Sequence, residues 1–186
     1  MKKFLAVIAL SAALPALAQT SFLGIPLEAT FPGDMKECPK HQALNMTDPT
    51  LIKTAGICYF RKSPSSYEVY NGPDVGIGHV LTLETFEDKP LIFKLTFGKA
   101  KYSQAVDIFS ARYGKPQKTS HEEVRNAVGQ SFDAKTSIWE GGSLRIQLDE
   151  IGADIRWGAA EVVNVPVMSR MLSEGKATAK AAASKL

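Results

Sequence analysis

The chain has 186 residues, of which 45% are apolar, with 22 Lys plus Arg against 19 Asp plus Glu. That length suits one ordinary domain and is enough to bury a real core. The nearly balanced charge excludes a body built for polyanions, because such binding needs clustered cations to displace counterions.

Lys2 and Lys3 open the chain, Phe4 to Leu14 form an uncharged apolar run, and Ala16-Leu17-Ala18 follow. This is the layout of a secretory signal, so residues 1–18 are expected to be a cleavable signal peptide cut between Ala18 and Gln19. The apolar run is about half of the ~20 residues that a membrane-crossing helix needs. No cysteine stands at the cleavage point, and no later stretch is long and apolar enough to span. The mature protein is expected to be soluble and periplasmic or secreted, with no transmembrane anchor after cleavage. Removing Lys2 and Lys3 from the 22 cations leaves 20 against 19 acids, so part of the apparent basicity belongs to the signal.

Residues 19–56 are interrupted by Pro26, Pro32, Gly33, Pro39 and Pro49, which predicts extended and turn structure with one short helix. The two cysteines, Cys38 and Cys58, are expected to form a disulfide in an oxidising compartment. A loop of this length is worth about 3 kcal/mol in the chain-entropy model. A catalytic thiol or a metal site are the other readings. The spacing is far from C-x-x-C, and no nearby histidine pattern supplies further ligands.

From Ile57 the pattern sharpens. Gly78 to Phe86 and Leu91 to Phe97 read as strands joined by Glu87-Asp88-Lys89-Pro90, an antiparallel hairpin. In the second run Leu91, Phe93, Leu95 and Phe97 alternate with Ile92, Lys94 and Thr96, which predicts one buried face. Tyr102, Ala105, Val106, Phe109 and Tyr113 then share one face of a helix that Gly114 and Pro116 terminate. A weaker strand is expected within 117–125. Lys135 to Glu140 and Ser143 to Asp149 flank the Gly141-Gly142 turn signal. Ala153, Ile155 and Trp157 alternate with Asp154 and Arg156, which predicts another strand with Trp157 in the core. Val167, Met168, Met171 and Leu172 begin a terminal helix that runs into an alanine- and lysine-rich tail.

The predicted fold class is α+β: an antiparallel β-sheet with one packed amphipathic helix (about 101–113) and a C-terminal helix. The expected organisation is a signal over 1–18, a single α+β domain over 19–175 and a Lys/Ala-rich helical or frayed tail over 176–186. No internal repeat or dividing linker is evident.

The chain holds no G-x-S-x-G, H-E-x-x-H or P-loop motif, and Gly76-Ile77-Gly78 runs into a strand rather than a helix. His41, His79 and His121 have no His or Cys partner at metal-ligand spacing. No catalytic residue, cofactor or metal ligand is therefore assigned. If Leu148 pairs with Ile155, Asp149 and Asp154 face each other across a short turn, and Arg156 softens their repulsion. A calcium ion there would want six to eight oxygens, more than the turn offers. Trp139 and Arg145 are the candidate binding surface, since both residue types are enriched in hot spots. The competing reading covers Trp139 with the N-terminal segment or the terminal helix.

Gly24-Ile25-Pro26-Leu27 shortly before Glu37-Cys38-Pro39, together with Leu91 to Pro116 ending in Tyr113-Gly114-Lys115-Pro116, resembles small exported proteins of Gram-negative bacteria without an assigned function. The resemblance covers about a third of the mature chain and implies a periplasmic location. It supplies no catalytic residue.

The function expected is that of a non-enzymatic periplasmic binding or accessory protein. Its partner would be a protein or envelope component, not nucleic acid. The alternatives are a small periplasmic hydrolase and a cell-envelope structural protein that uses the basic tail.

Overall fold

The computed structural model describes residues 20–41, 46–47, 49–125 and 129–185. The signal over 1–18 and its cleavage site lie outside the described residues.

Alternation produces the sheet. Strand β9 (Lys89–Gly98) buries Phe93, Leu95 and Phe97 on one face and turns Ile92, Lys94 and Thr96 to the other. Its hairpin partner β8 (His79–Phe86) buries Leu81 and Leu83 on the same side. Glu87 and Asp88 join the two strands with φ of 48° and 58°. Positive φ at both central residues matches the turn's twist to that of the strands, so the hairpin is tighter than the four-residue link expected.

Two further strands, β6 (Cys58–Ser63) and β7 (Ser66–Tyr70), complete a meander with β8 and β9. A second meander comprises β10 (Lys118–Arg125), β11 (Ser131–Glu140), β12 (Leu144–Asp149) and β13 (Trp157–Asn164). The meanders join through the antiparallel β13–β9 pair. With a short parallel edge strand, β3 (Lys36–Glu37), the order is β10-β11-β12-β13-β9-β8-β7-β6-β3. Each meander is followed by a helix: α2 (Tyr102–Tyr113) after β9 and α3 (Val165–Ala183) after β13.

Helix α2 covers the apolar face of the sheet with Tyr102, Ala105 and Phe109, as its spacing predicts. The N-terminal segment covers the rest. It begins with a two-stranded turn, β1 (Ser21–Phe22) and β2 (Ile25–Pro26), and inserts Phe22, Ile25, Leu27 and Phe31. The Phe22 ring lies 5.1 Å from Phe93 and 6.4 Å from Phe109. Buried Asn164 fastens this cover by donating from Nδ2 to the carbonyls of Leu27 and Pro90, at 3.0 and 2.8 Å. A neutral amide thus pairs its two donors with backbone carbonyls at a buried site.

On the other face a smaller cluster forms at the β6 end. Helix α1 (Pro49–Thr54) places Ile52 beside Phe60 and the Cys38–Cys58 disulfide, whose Cα atoms are 4.9 Å apart. The disulfide expected from the sequence is therefore present, and it ties β3 to β6. Asn71 donates to the carbonyls of Ile52 and Ala55 at the end of α1. The remaining short pair is β4 (Lys40–His41) with β5 (Met46–Thr47).

One expected strand is displaced. Residues 153–156 form a turn, and β13 begins at Trp157. Asp154 accepts hydrogen bonds from the Arg156 backbone and guanidinium, its carbonyl accepts from Trp157 N–H, and Gly152 N–H donates to the Trp157 carbonyl. Such side-chain-to-backbone bonds favour a turn over a ladder. Leu148 consequently faces Ala160 instead of Ile155, and Asp149 faces Ala159 instead of Asp154. The change of register sends Gly158, Ala160 and Val162 to the core side and Trp157 to the other face.

Candidate functional site

The open face of the nine-stranded sheet bears a polar band that turns apolar at one end. In the band, Thr136 donates to Asp149 Oδ1 at 2.7 Å, and Gln147 Nε2 donates to both Asp149 oxygens. Arg145 reaches Gln147 at 3.4 Å and pairs loosely with Glu140 at 3.9 Å. Lys94 Nζ lies 2.9 Å from Glu84. That hydrogen bond raises the Lys94 pKa above the usual ammonium range, against the opposing cost of burial.

The apolar end is Trp157, 45% exposed, with Val80 at 49%. Trp157 lies across the ladder from Gly98, which has no side chain to cover the indole. Beside it runs the row Ala159–Thr96–Val80. In the adjoining turn the Arg156 guanidinium grips Asp154 with two bonds of 3.0 and 2.8 Å. These bonds and the Arg156 backbone N–H lower the Asp154 pKa to about 2.

Trp139 does not contribute to that surface. It is 2% exposed, packs 5.9 Å from Phe109, and donates from Nε1 to the Gly114 carbonyl at 2.8 Å. Its cover is the end of α2, rather than the N-terminal segment or the terminal helix. Arg145 is opposite Glu140, one residue out of phase with the Trp139–Ile146 pair, so the two candidates occupy opposite faces. The surface expected from Trp139 and Arg145 is therefore not formed. Trp157, assigned to the core by its alternation with Ile155, is the exposed indole.

Two grooves of about 370 Å³ each flank the β7–β8 loop. The first holds half-buried His79, with Asp74, Tyr70 and Asn71 among its lining. Burial pushes the His79 pKa down, and the Asp74 charge partly offsets this. Burial and the hydrogen bond with Glu68 push Tyr70 up to about 12. An acid and an imidazole thus line one cleft. No Ser, Thr or Cys lines it, and a phenol with so high a pKa is a poor nucleophile. His121 pairs with Asp133 at 3.5 Å in solvent, and the side chain of His41 lies outside the described residues.

The second groove runs between α2 and the turn at Leu23-Gly24. Phe22, Leu23, Val75, Leu95, Ile108 and Phe109 supply much of its wall, and Arg112 is its one charged residue. Among the described residues no three His, Cys, Asp or Glu side chains converge to hold a metal. No helix among them is long and apolar enough to cross a membrane.

The signal that points to Trp157 is faint. It lies in the Asp154-x-Arg156 turn chemistry and the small residues Gly158-Ala159-Ala160 that follow. No protein-family model, curated protein or solved structure matches this chain.

Proposed function

We propose that the protein is an exported, non-enzymatic binding or accessory protein of the periplasm, and that the Trp157 end of its open sheet face docks a protein partner. The observation that carries this reading is the exposed Trp157 and Val80 on the open sheet face, beside a hydrogen-bonded polar band. An apolar centre with a polar rim is the usual anatomy of a protein interface, and Trp is the residue type most enriched among its energetic anchors. The buried disulfide supports an oxidising compartment, where an isolated cysteine pair persists. The signal-like start of the sequence supports the same location. The groove at His79 supports the hydrolase reading less well, because among the described residues no ion pair joins Asp74 to His79 and no hydroxyl or thiol nucleophile from Ser, Thr or Cys lines it.

Crosslinking in the intact envelope followed by purification tests the reading. The wild-type chain should recover one reproducible partner, and Trp157→Ala should reduce that recovery about ten-fold or more. Equal recovery with Trp157→Ala, or no partner with the wild-type chain, would contradict it.

A further inference from the structure

The groove between α2 and the N-terminal turn lies on the covered side of the sheet, away from Trp157, and has a chemistry of its own. Ile108, Arg112 and Tyr113 from α2 form one wall, the turn at Leu23-Gly24 forms another, and Val75 comes from the β7–β8 loop. At about 370 Å³ it falls at the small end of the ~300–1,000 Å³ range of small-molecule sites.

The charge in the groove has one sign. No acidic residue lines it, and Arg112 is exposed in the last turn of α2. Its guanidinium lies 5.9 Å from the Tyr113 ring centroid, and among the described residues it enters no ion pair, unlike Arg125, Arg145, Arg156 and Arg170. An apolar trough with one uncommitted guanidinium complements an apolar chain ending in a single anionic group. Arg presents paired N–H donors that suit a carboxylate or a phosphate.

The turn that closes the groove has positive φ at both central residues, like the β8–β9 turn. Leu23 adopts φ 47° and Gly24 φ 79°. Glycine takes such a conformation freely, whereas a residue with Cβ pays roughly 1–2 kcal/mol. Asn-Gly is the sequence that turn chemistry favours there. A leucine at this position gains nothing for the turn, but its side chain packs against the edge of the core at the groove wall.

From these observations we infer that the groove binds a single-chain amphiphile, with its apolar tail against Leu23, Val75 and Ile108 and its anionic head on Arg112. The site is independent of the protein-docking face, so either proposal stands if the other fails.

Titration calorimetry of the mature protein with decanoate, decyl phosphate and decyltrimethylammonium, each below its micellar concentration, tests the inference. At least one of the two anions should bind saturably, and the tighter one identifies the head group. The cationic amphiphile should bind about ten-fold or more weaker than that anion. Arg112→Gln, a change at an exposed side chain, should weaken the anion by a similar factor. Leu23→Asn, which improves the turn while removing an apolar wall, should weaken it with the folded state intact. Equal binding of anion and cation, unchanged affinity in Arg112→Gln, or no saturable binding of either anion would overturn it.

Discussion

Gly158 shows how closely the sheet is packed where β13 meets β9. A Cβ on this residue would lie 2.6 Å from the Phe97 ring and 3.0 Å from the Asp149 carbonyl oxygen. Phe97 is fully buried, and one contact is backbone, so neither neighbour yields easily. Gly158→Ala is expected to destabilise the fold by about 1–3 kcal/mol, the usual cost of overpacking, measured as a lower denaturation midpoint. In the adjoining turn, Asp154 should titrate at about 2 in a carboxyl-detected NMR experiment. Its folded pKa is depressed below the ~3.9 of an unfolded aspartate, so its contribution to stability is present above that value. It is lost as pH falls toward 2, and Arg156→Gln should return the carboxyl toward its ordinary range. The effect on stability is slight, because the pair sits in solvent.

At the scale of elements, the disulfide does what the hydrophobic effect does elsewhere. Edge strand β3 is two exposed residues, Lys36 and Glu37, and its backbone pairing with β6 is short. The bond between Cys38 and Cys58 closes a separation of 20 residues and anchors the cluster under α1. Replacing both cysteines with serine should cost about 3 kcal/mol in urea unfolding, and an unchanged midpoint would show that α1 and Phe60 suffice without it. The elements differed in how plainly the sequence announces them. Strand β9 and helix α2 are legible because large apolar residues recur at the strand and helix periods, at Leu91 to Phe97 and at Tyr102 to Tyr113. Strand β13 is hidden because its inward positions hold Gly158 and Ala160, whose small side chains give alternation no amplitude. The apparent pattern at Ala153, Ile155 and Trp157 then drew the strand too early. Trp157 changes face with that register, because a strand's parity fixes its faces only when the register is known, whereas in β11 parity alone leaves either Ile138 or Trp139 as the inward residue.

At the scale of the molecule, the strand order apart from edge strand β3 is symmetric about the β9–β13 pair, with a four-stranded meander and a following helix on each side. The two halves do not cover the sheet equally. Helix α2 lies on the apolar face, whereas α3 buries Val167 and leaves most of its length in solvent. The cover that α3 does not provide comes from residues 22–31, irregular in sequence and therefore unreadable before the tertiary packing is known. This arrangement closes one face of the sheet and leaves the other open away from α1 and its cluster, with one indole inside and one outside. Acrylamide quenching of the single-tryptophan variants Trp139→Phe and Trp157→Phe tests that division. The chain retaining Trp157 should show red-shifted emission and ready quenching, and the chain retaining Trp139 blue-shifted emission and strong protection. The reverse pattern would place Trp157 in the core and remove the docking face.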